Sequence, residues 1–208
     1  MATNKQFYWA VKFLIWLLAA LPIAWLSWSI LQKTLGPNPA EAIDRFLGYW
    51  ALVFLWITLA VTPLRLITGL GQLIRFRRLL GLFSFFYAVL HLFSYLTINQ
   101  FFDWVAIWED LLKRNYIMFG FFGFIILTIL AATSTTTMIK RLGAGNWNRL
   151  HKSIYISAIL ITIHFIMIRK GFQLEPFVYA AVLLLLLTSR FQLKHRRSRK
   201  RKFSSLKK

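Results

Sequence analysis

Three of the four histidines in this chain, His91, His151 and His164, lie within or beside long apolar segments. The fourth, His195, lies in a basic C-terminal stretch and is expected to be solvated. Ionisable side chains are costly inside a membrane, so an intramembrane histidine is a candidate functional residue. The chain has no cysteine, which excludes thiolate ligation of haem, iron–sulfur clusters and disulfide bonds.

The apolar segments predict an all-α membrane protein. Hydrophobic residues make up 58% of the 208 positions, and the mean hydropathy is +0.59, whereas soluble domains are roughly 45–50% apolar. Runs of about 20 apolar residues recur, and a helix of that length crosses a bilayer core. We expect a polytopic six-helix membrane bundle. Its spans are predicted near 9–31, 47–67, 79–98, 115–134, 150–168 and 174–191.

The distribution of charge orients these spans. Twenty of the 26 Lys and Arg residues fall in the N-terminus, the connections after the second and fourth spans, and the C-terminal stretch. All six acidic residues fall on the opposite side. Because cytoplasmic loops carry the excess of basic residues, we expect both termini to be cytoplasmic. The net charge of +20 would also suit nucleic acid, but its one-sided distribution favours membrane topology, and we expect no nucleic-acid partner.

The chain is predicted to consist of a transmembrane domain, residues 1–193, and a basic cytoplasmic tail, residues 194–208. The tail is too polar and too charged to bury a core, so we expect it to be disordered. Its expected contact is with anionic lipids of the cytoplasmic leaflet. Neither part is expected to contain a soluble catalytic domain.

Counting residues along the spans places two histidines at the same depth. His91 lies about 12 residues into the third span and His164 about 14 residues into the fifth, or roughly 18 and 21 Å from the cytoplasmic side. Two facing neutral imidazoles satisfy a six-coordinate b-type haem, which suits electron transfer because no position stays open for substrate. The alternative is that both histidines only hydrogen-bond to neighbouring helices.

His151 lies at the cytoplasmic end of the fifth span, thirteen positions before His164, which is a rise of about 20 Å on a helix. This spacing suits a second haem, although the third span carries arginines and no histidine at that level. Basic and aromatic residues around His151 form a set, here called the basic cluster: Arg77, Arg78, Trp147, Arg149 and Lys152. Such a cluster suits a flavin phosphate or haem propionates, and the alternative is ordinary positive charge on a cytoplasmic surface.

Residues 99–114 on the outer side place aromatic and aliphatic side chains at helical spacing, with charged residues elsewhere on the same helix. This pattern predicts an amphipathic helix that lies in the outer membrane interface. Two roles remain open for it. It either shields the end of the bundle from water or forms part of a docking surface for an outer partner.

Short motifs across the chain resemble those of the MsrQ family, formerly called YedZ. They are Thr62-Pro63-Leu64, Arg77-Arg78-Leu79-Leu80-Gly81-Leu82, Leu90-His91-Leu92, Thr133-Ser134-Thr135, and Leu142-Gly143 followed by Trp147 and Leu150-His151. This family comprises the haem-binding membrane subunits of periplasmic methionine-sulfoxide reductase systems, within the ferric-reductase-like transmembrane superfamily. The resemblance covers about residues 5–195.

The resemblance implies a b-type haem whose ligand histidines are His91, His151 and His164, together with an FMN. It implies an electron-transfer subunit, distinct from the catalytic subunit, that takes electrons from membrane quinol. The implied acceptor is MsrP, a periplasmic molybdopterin reductase that repairs oxidised methionine in proteins. Two alternatives stay open: a haem-dependent metal or superoxide-forming reductase of the same superfamily, and a cofactor-free membrane scaffold or transporter.

Overall fold

The computed structural model of the chain describes the backbone of residues 2–168 and 174–205, and the side chains of residues 5–168 and 174–190. The described residues form helices and no strand, which confirms the predicted all-α class. The α-helices are α1 (Ala2–Leu31), α2 (Pro39–Thr68), α3 (Arg77–Ser94), α4 (Trp104–Lys113), α5 (Asn115–Ala132), α6 (Thr136–Leu150), α7 (Ile154–Ile168) and α8 (Leu174–Ser205).

Five helical segments in the described part of the chain are long and apolar enough to cross a membrane. They are Lys5–Leu31, Pro39–Thr68, Arg77–Asn99, Asn115–Ala132 and Thr136–Ile168. These segments correspond to the first five predicted spans and confirm a multi-pass membrane protein. The sixth predicted span, 174–191, coincides with the first part of α8 and is not among the five.

Local signals at the ends of α2 set the position of α3. Asn38 caps the start of α2 by accepting a hydrogen bond from the Glu41 backbone N–H. At the other end Gly69 adopts φ +74° and its N–H donates to the carbonyl of Arg65, a left-handed conformation that favours glycine. A short 3₁₀ helix, Gly71–Arg75, then leads into α3. The connection is short, so α2 and α3 are antiparallel neighbours.

The helices pack mainly as two pairs, α2 with α3 and α5 with α7. One buried cluster lies around α2 and α3, where Tyr87 is fully buried and its hydroxyl donates to the Ala19 carbonyl of α1 at 2.6 Å. A second cluster joins α2, α5, α7 and α8 around Leu59, Ala158 and Leu183. The core therefore holds the two helix pairs side by side, with α1 and α8 packed against them.

Two connections differ from the expectation. The helix predicted within 99–114 is present as α4 but is shorter, because Tyr95–Asn99 forms a π-helical turn that continues α3 and Asp103 caps the start of α4. The connection between the fourth and fifth spans, expected to be a loop, forms α6. A kink at Gly143, with φ +72° and ψ 151°, interrupts this helix.

The C-terminal stretch is helical where disorder was expected. Helix α8 continues to Ser205, so the predicted boundary between residues 193 and 194 falls inside a helix. Lys and Arg are good helix formers, and extending an existing helix avoids the cost of nucleation. The side chain of His195 and residues 206–208 lie outside the described part of the chain.

Candidate functional site

His91 on α3 and His164 on α7 approach each other between the two helix pairs. Their ring centroids are 6.3 Å apart, and the ring planes are inclined at 69°. Bonds from a metal ion to an imidazole nitrogen are about 2 Å long, so two rings that share one metal ion have centroids about 6 Å apart. The structure thus brings together the two histidines that the sequence places at one depth, at a spacing that fits two ligands of one iron.

Both histidines have a fixed tautomer. Nδ1 of His91 lies 2.9 Å from the carbonyl oxygen of Asp44, and Nδ1 of His164 lies 2.7 Å from that of Tyr116. A carbonyl oxygen can only accept, so each Nδ1 must carry a proton and donate it. In the neutral ring this leaves a lone pair on Nε2, which is the form in which histidine binds a metal.

The two helix pairs repeat this geometry in the same register. On α2 and α3, His91 contacts the carbonyl of Asp44, and Ser84 donates to the carbonyl of Ala51 at 2.9 Å. On α5 and α7, His164 contacts the carbonyl of Tyr116, and Ser157 donates to the carbonyl of Gly123 at 2.9 Å. In both pairs the serine lies seven positions before the histidine, and its carbonyl partner lies seven positions after the residue that the histidine contacts. Each helix pair therefore holds one histidine of the pair through the same arrangement of backbone and side chain.

Two glycines, which the sequence analysis did not identify, make room for the imidazoles. A Cβ atom at Gly120 would lie 2.8 Å from Nδ1 of His164, and a Cβ atom at Gly48 would lie 3.1 Å from Cε1 of His91. Each glycine lies four positions after the residue whose carbonyl the histidine contacts. The available signal was a glycine within an apolar span, where small residues let neighbouring helices approach closely.

The donor set suits haem better than a bare metal ion. Among the residues that the structure describes, no group of three or more His, Asp or Glu side chains is placed to hold a metal ion. The histidine pair offers two nitrogen ligands, and a structural or catalytic metal bound by protein alone needs at least three. A porphyrin supplies the four remaining ligands of a six-coordinate iron, so the pair fits a haem.

A cavity of about 480 Å³ opens near the predicted cytoplasmic ends of α3, α5 and α7. It lies within the size range of pockets for small molecules and cofactors. Four members of the basic cluster line it together with His151: Arg77, Arg78, Trp147 and Lys152. Arg149, the fifth member, is exposed and is not among the lining residues.

His151 is held by its neighbours at the wall of this cavity. Its ring stacks on Trp147 with the centroids 3.9 Å apart, and its Nε2 lies 3.3 Å from the hydroxyl of Thr133. The indole of Trp147 donates to the Thr133 carbonyl at 2.9 Å, which fixes the stack. No second histidine lines the cavity in the described residues, so His151 faces no imidazole as His91 and His164 do.

The cavity carries positive charge without a compensating acid. Arg77, Arg78 and Lys152 line it, and no Asp or Glu does so among the described residues. Behind the wall, the buried Arg190 donates to the hydroxyl of Tyr155, another lining residue, at 2.7 Å. Arginine and lysine in such an arrangement bind phosphate or carboxylate groups.

Helix α4 is attached to the end of α3, which carries His91, and to the start of α5, whose Tyr116 carbonyl contacts His164. The carboxylate of Asp110 accepts from Tyr95 at 2.9 Å and from Gln100 at 2.6 Å, and it pairs with Arg114 at 2.9 Å. Arg114 also donates to the hydroxyl of Tyr116. The opposite face of the α4 region leaves large apolar side chains exposed: Phe101, Trp104, Val105, Trp108 and Leu112.

Residues 47–162 match the family described as ferric reductase like transmembrane component. The chain is 50% identical over 181 residues to the protein-methionine-sulfoxide reductase heme-binding subunit MsrQ of Polaromonas naphthalenivorans, covering 86% of this chain and 82% of that protein. It is 45% identical over 170 residues to MsrQ of Rhodospirillum rubrum, covering 82% of each. It is also 40% identical over 186 residues to the magnetosome protein MamZ of Magnetospirillum gryphiswaldense, of which it covers 29%. The chain therefore belongs to the MsrQ family of ferric-reductase-like transmembrane proteins.

Proposed function

We propose that the protein is the transmembrane electron-transfer subunit of a methionine-sulfoxide reductase system and binds a b-type haem through His91 and His164. The observation that carries this proposal is the geometry of the pair, with rings 6.3 Å apart and each Nδ1 hydrogen-bonded to a backbone carbonyl. A haem bound there supplies reversible one-electron oxidation and reduction.

The residues around the pair have two tasks in this function. The carbonyls of Asp44 and Tyr116 hold the imidazoles in the tautomer that binds iron. With His91 and His164 both holding a haem iron, no position would stay open for a substrate at the metal, so the site would pass electrons. The protein is accordingly an electron-transfer subunit whose partner carries the catalytic site.

The proposed topology brings the electrons to the periplasmic side. The chain lies in the bacterial inner membrane with six spans, the first part of α8 being the sixth, and with both termini in the cytoplasm. The one-sided distribution of Lys and Arg supports this orientation. The histidine pair then lies in the outer half of the membrane, near a periplasmic MsrP-type molybdopterin reductase as acceptor. The printed name of the MsrQ relatives supports the partnership with a methionine-sulfoxide reductase.

We further propose that the cytoplasmic cavity holds FMN by its phosphate and that membrane quinol is the electron donor. The support is the set of basic side chains that line the cavity without an acid, together with the family resemblance. Haem propionates are the competing ligand for the same side chains. The basic C-terminal stretch would lie against anionic lipids of the same leaflet.

A purified preparation tests the proposal directly. The protein should show a sharp Soret band and reducible α and β bands, and acid treatment should release FMN. In proteoliposomes, a quinol should reduce the haem, and an MsrP-type protein with methionine sulfoxide should reoxidise it. A colourless preparation would sink the proposal in favour of a scaffold or transporter.

Replacing His151 with alanine should leave the haem of His91 and His164 bound and reducible by dithionite. Reduction of the haem by quinol should become at least tenfold slower, because the side of the cavity where His151 stacks on Trp147 is disrupted. Stopped-flow absorbance at the Soret band measures both rates. Arg77 and Arg78 replaced together by glutamine should give the same split result.

The matched control for this double variant is the replacement of Lys140 and Arg141, which are exposed on the same side of the membrane and do not line the cavity. This control should keep the wild-type rate with quinol. A wild-type rate in the His151 variant would show that electrons enter elsewhere and that His151 is structural.

Truncation after Gln192 should leave haem incorporation intact. The described contacts of α8 with the bundle lie before this point, where Trp56 donates to the Tyr179 carbonyl and Arg190 donates to the Leu59 carbonyl. Haem content per protein in purified membranes gives the measurement, and expression level serves as the control. Loss of haem from a well-expressed truncated protein would mean that the tail forms part of the site.

A further inference from the structure

We propose that Asp44 is a positioning residue that lowers the reduction potential of the haem iron by acting through His91. The inference rests on the proposed function, because it requires a haem at the histidine pair. Its starting observation is a carboxylate beside one ligand. Oδ1 of Asp44 lies 3.1 Å from Nδ1 of His91, in addition to the carbonyl contact that the same residue makes with that nitrogen.

The surroundings keep this carboxylate in place and leave its charge directed at His91. The Asp44 side chain is only 17% exposed, and the buried Ser94 donates to its Oδ1 at 2.7 Å. In the part of the chain that the structure describes, the ion pairs with Lys or Arg involve other acids, and Asp44 pairs with His91 alone. A charge that is largely removed from water is weakly screened, so its effect on the ring is strong.

The repeated register of the two helix pairs shows that the carboxylate is not needed to hold a ligand. Tyr116 occupies the position equivalent to Asp44, and its carbonyl holds His164 in the same way. The Tyr116 hydroxyl instead accepts from Arg114. One ligand therefore has a carboxylate partner and the other has a carbonyl alone. This asymmetry assigns Asp44 a task beyond ligand orientation.

The physical effect has a definite sign. A carboxylate near the N–H of a metal-bound imidazole draws on that proton and makes the ring a stronger electron donor. A stronger donor stabilises the oxidised iron more than the reduced iron, which lowers the potential. The carboxylate's own negative charge acts in the same direction. Asp44 would thus make the reduced haem a better electron donor to an outer acceptor.

The test is a spectroelectrochemical titration of the full-length Asp44→Asn protein. We expect haem content to be retained, because the backbone carbonyl remains on His91. At the wild-type midpoint potential, the ratio of reduced to oxidised haem should rise at least threefold, and the low-spin electron paramagnetic resonance signal should shift. The control is Glu109→Gln, which removes an exposed carboxylate of α4 that pairs with Lys113 and does not contact either histidine, and it should change the ratio by less than twofold.

Ser94→Ala provides an independent arm with the opposite sign. This variant keeps the Asp44 carboxylate but removes the hydroxyl that donates to its Oδ1. The carboxylate charge facing His91 is then less compensated, so the ratio of reduced to oxidised haem at the wild-type midpoint potential should fall below one. A ratio in Asp44→Asn that is unchanged or lowered would overturn the inference. If the Asp44→Asn protein loses its haem, an unchanged or raised ratio of reduced to oxidised haem in Ser94→Ala would overturn the inference. A colourless wild-type protein would instead refute the proposed function.

Discussion

Replacing either His91 or His164 with alanine should abolish the low-spin haem spectrum and reduce electron transfer to the methionine-sulfoxide reductase more than tenfold. Each histidine comes from a different helix pair, and the two rings lie 6.3 Å apart. Removal of one would leave a bound haem iron one protein ligand short, and no other histidine of the described chain is placed to replace it. Absorbance spectra of purified protein and a reconstituted assay measure the two effects.

The control for these variants is His195→Ala, which removes a histidine from the basic C-terminal stretch and should leave spectrum and activity unchanged. Haem extraction and quantification should separate lost haem from haem that stays bound in a five-coordinate form. If both single variants keep full haem content and full activity, the pair does not ligate the haem.

Gly120→Ala should lower haem content severalfold, although it adds a single methyl group. The new Cβ would lie 2.8 Å from Nδ1 of His164, a separation that forces the ring or the helix to move. The ring cannot retreat without losing its hydrogen bond to the Tyr116 carbonyl, which lies on the same helix. Overpacking of this kind costs about 1–3 kcal/mol. Haem per protein and the thermal unfolding midpoint in detergent give the readouts.

The other glycines supply a graded comparison. Gly48→Ala should have a smaller effect, since its Cβ would lie 3.1 Å from the His91 ring. Gly145→Ala on α6 is the matched control, because no atom lies within 4 Å of the added Cβ. Equal haem content and equal thermal midpoints for Gly120→Ala and Gly145→Ala would show that the close approach at Gly120 is unimportant.

The features that depend on distance along one helix could be predicted from the sequence. The matched depth of His91 and His164 needs only the helical rise and the start of each span, and the structure brings the two rings together. The cavity-lining residues Arg77 and Arg78 follow in the same way from their position at the start of α3. Neither feature depends on which helices touch one another.

The features that depend on helix pairing could not be predicted. Gly48, Gly120 and Asp44 act on histidines that lie more than forty positions away in sequence, and only the packing of α2 on α3 and of α5 on α7 reveals them. The helix α6 was missed for a different reason. Its composition is polar and glycine-containing, which is typical of a connection.

The division of the bundle into two helix pairs has a consequence for how long the protein survives in the cell. Helices α3 and α5 pack together less extensively than the helices within each pair, and each pair contributes one histidine. A group bound by both histidines would hold the two helix pairs together and stabilise the native state, because it binds the folded protein and not the unfolded one. Copies made when haem is scarce would open more often along this seam and would be degraded sooner by membrane proteases. The abundance of the protein would then follow the haem supply of the cell.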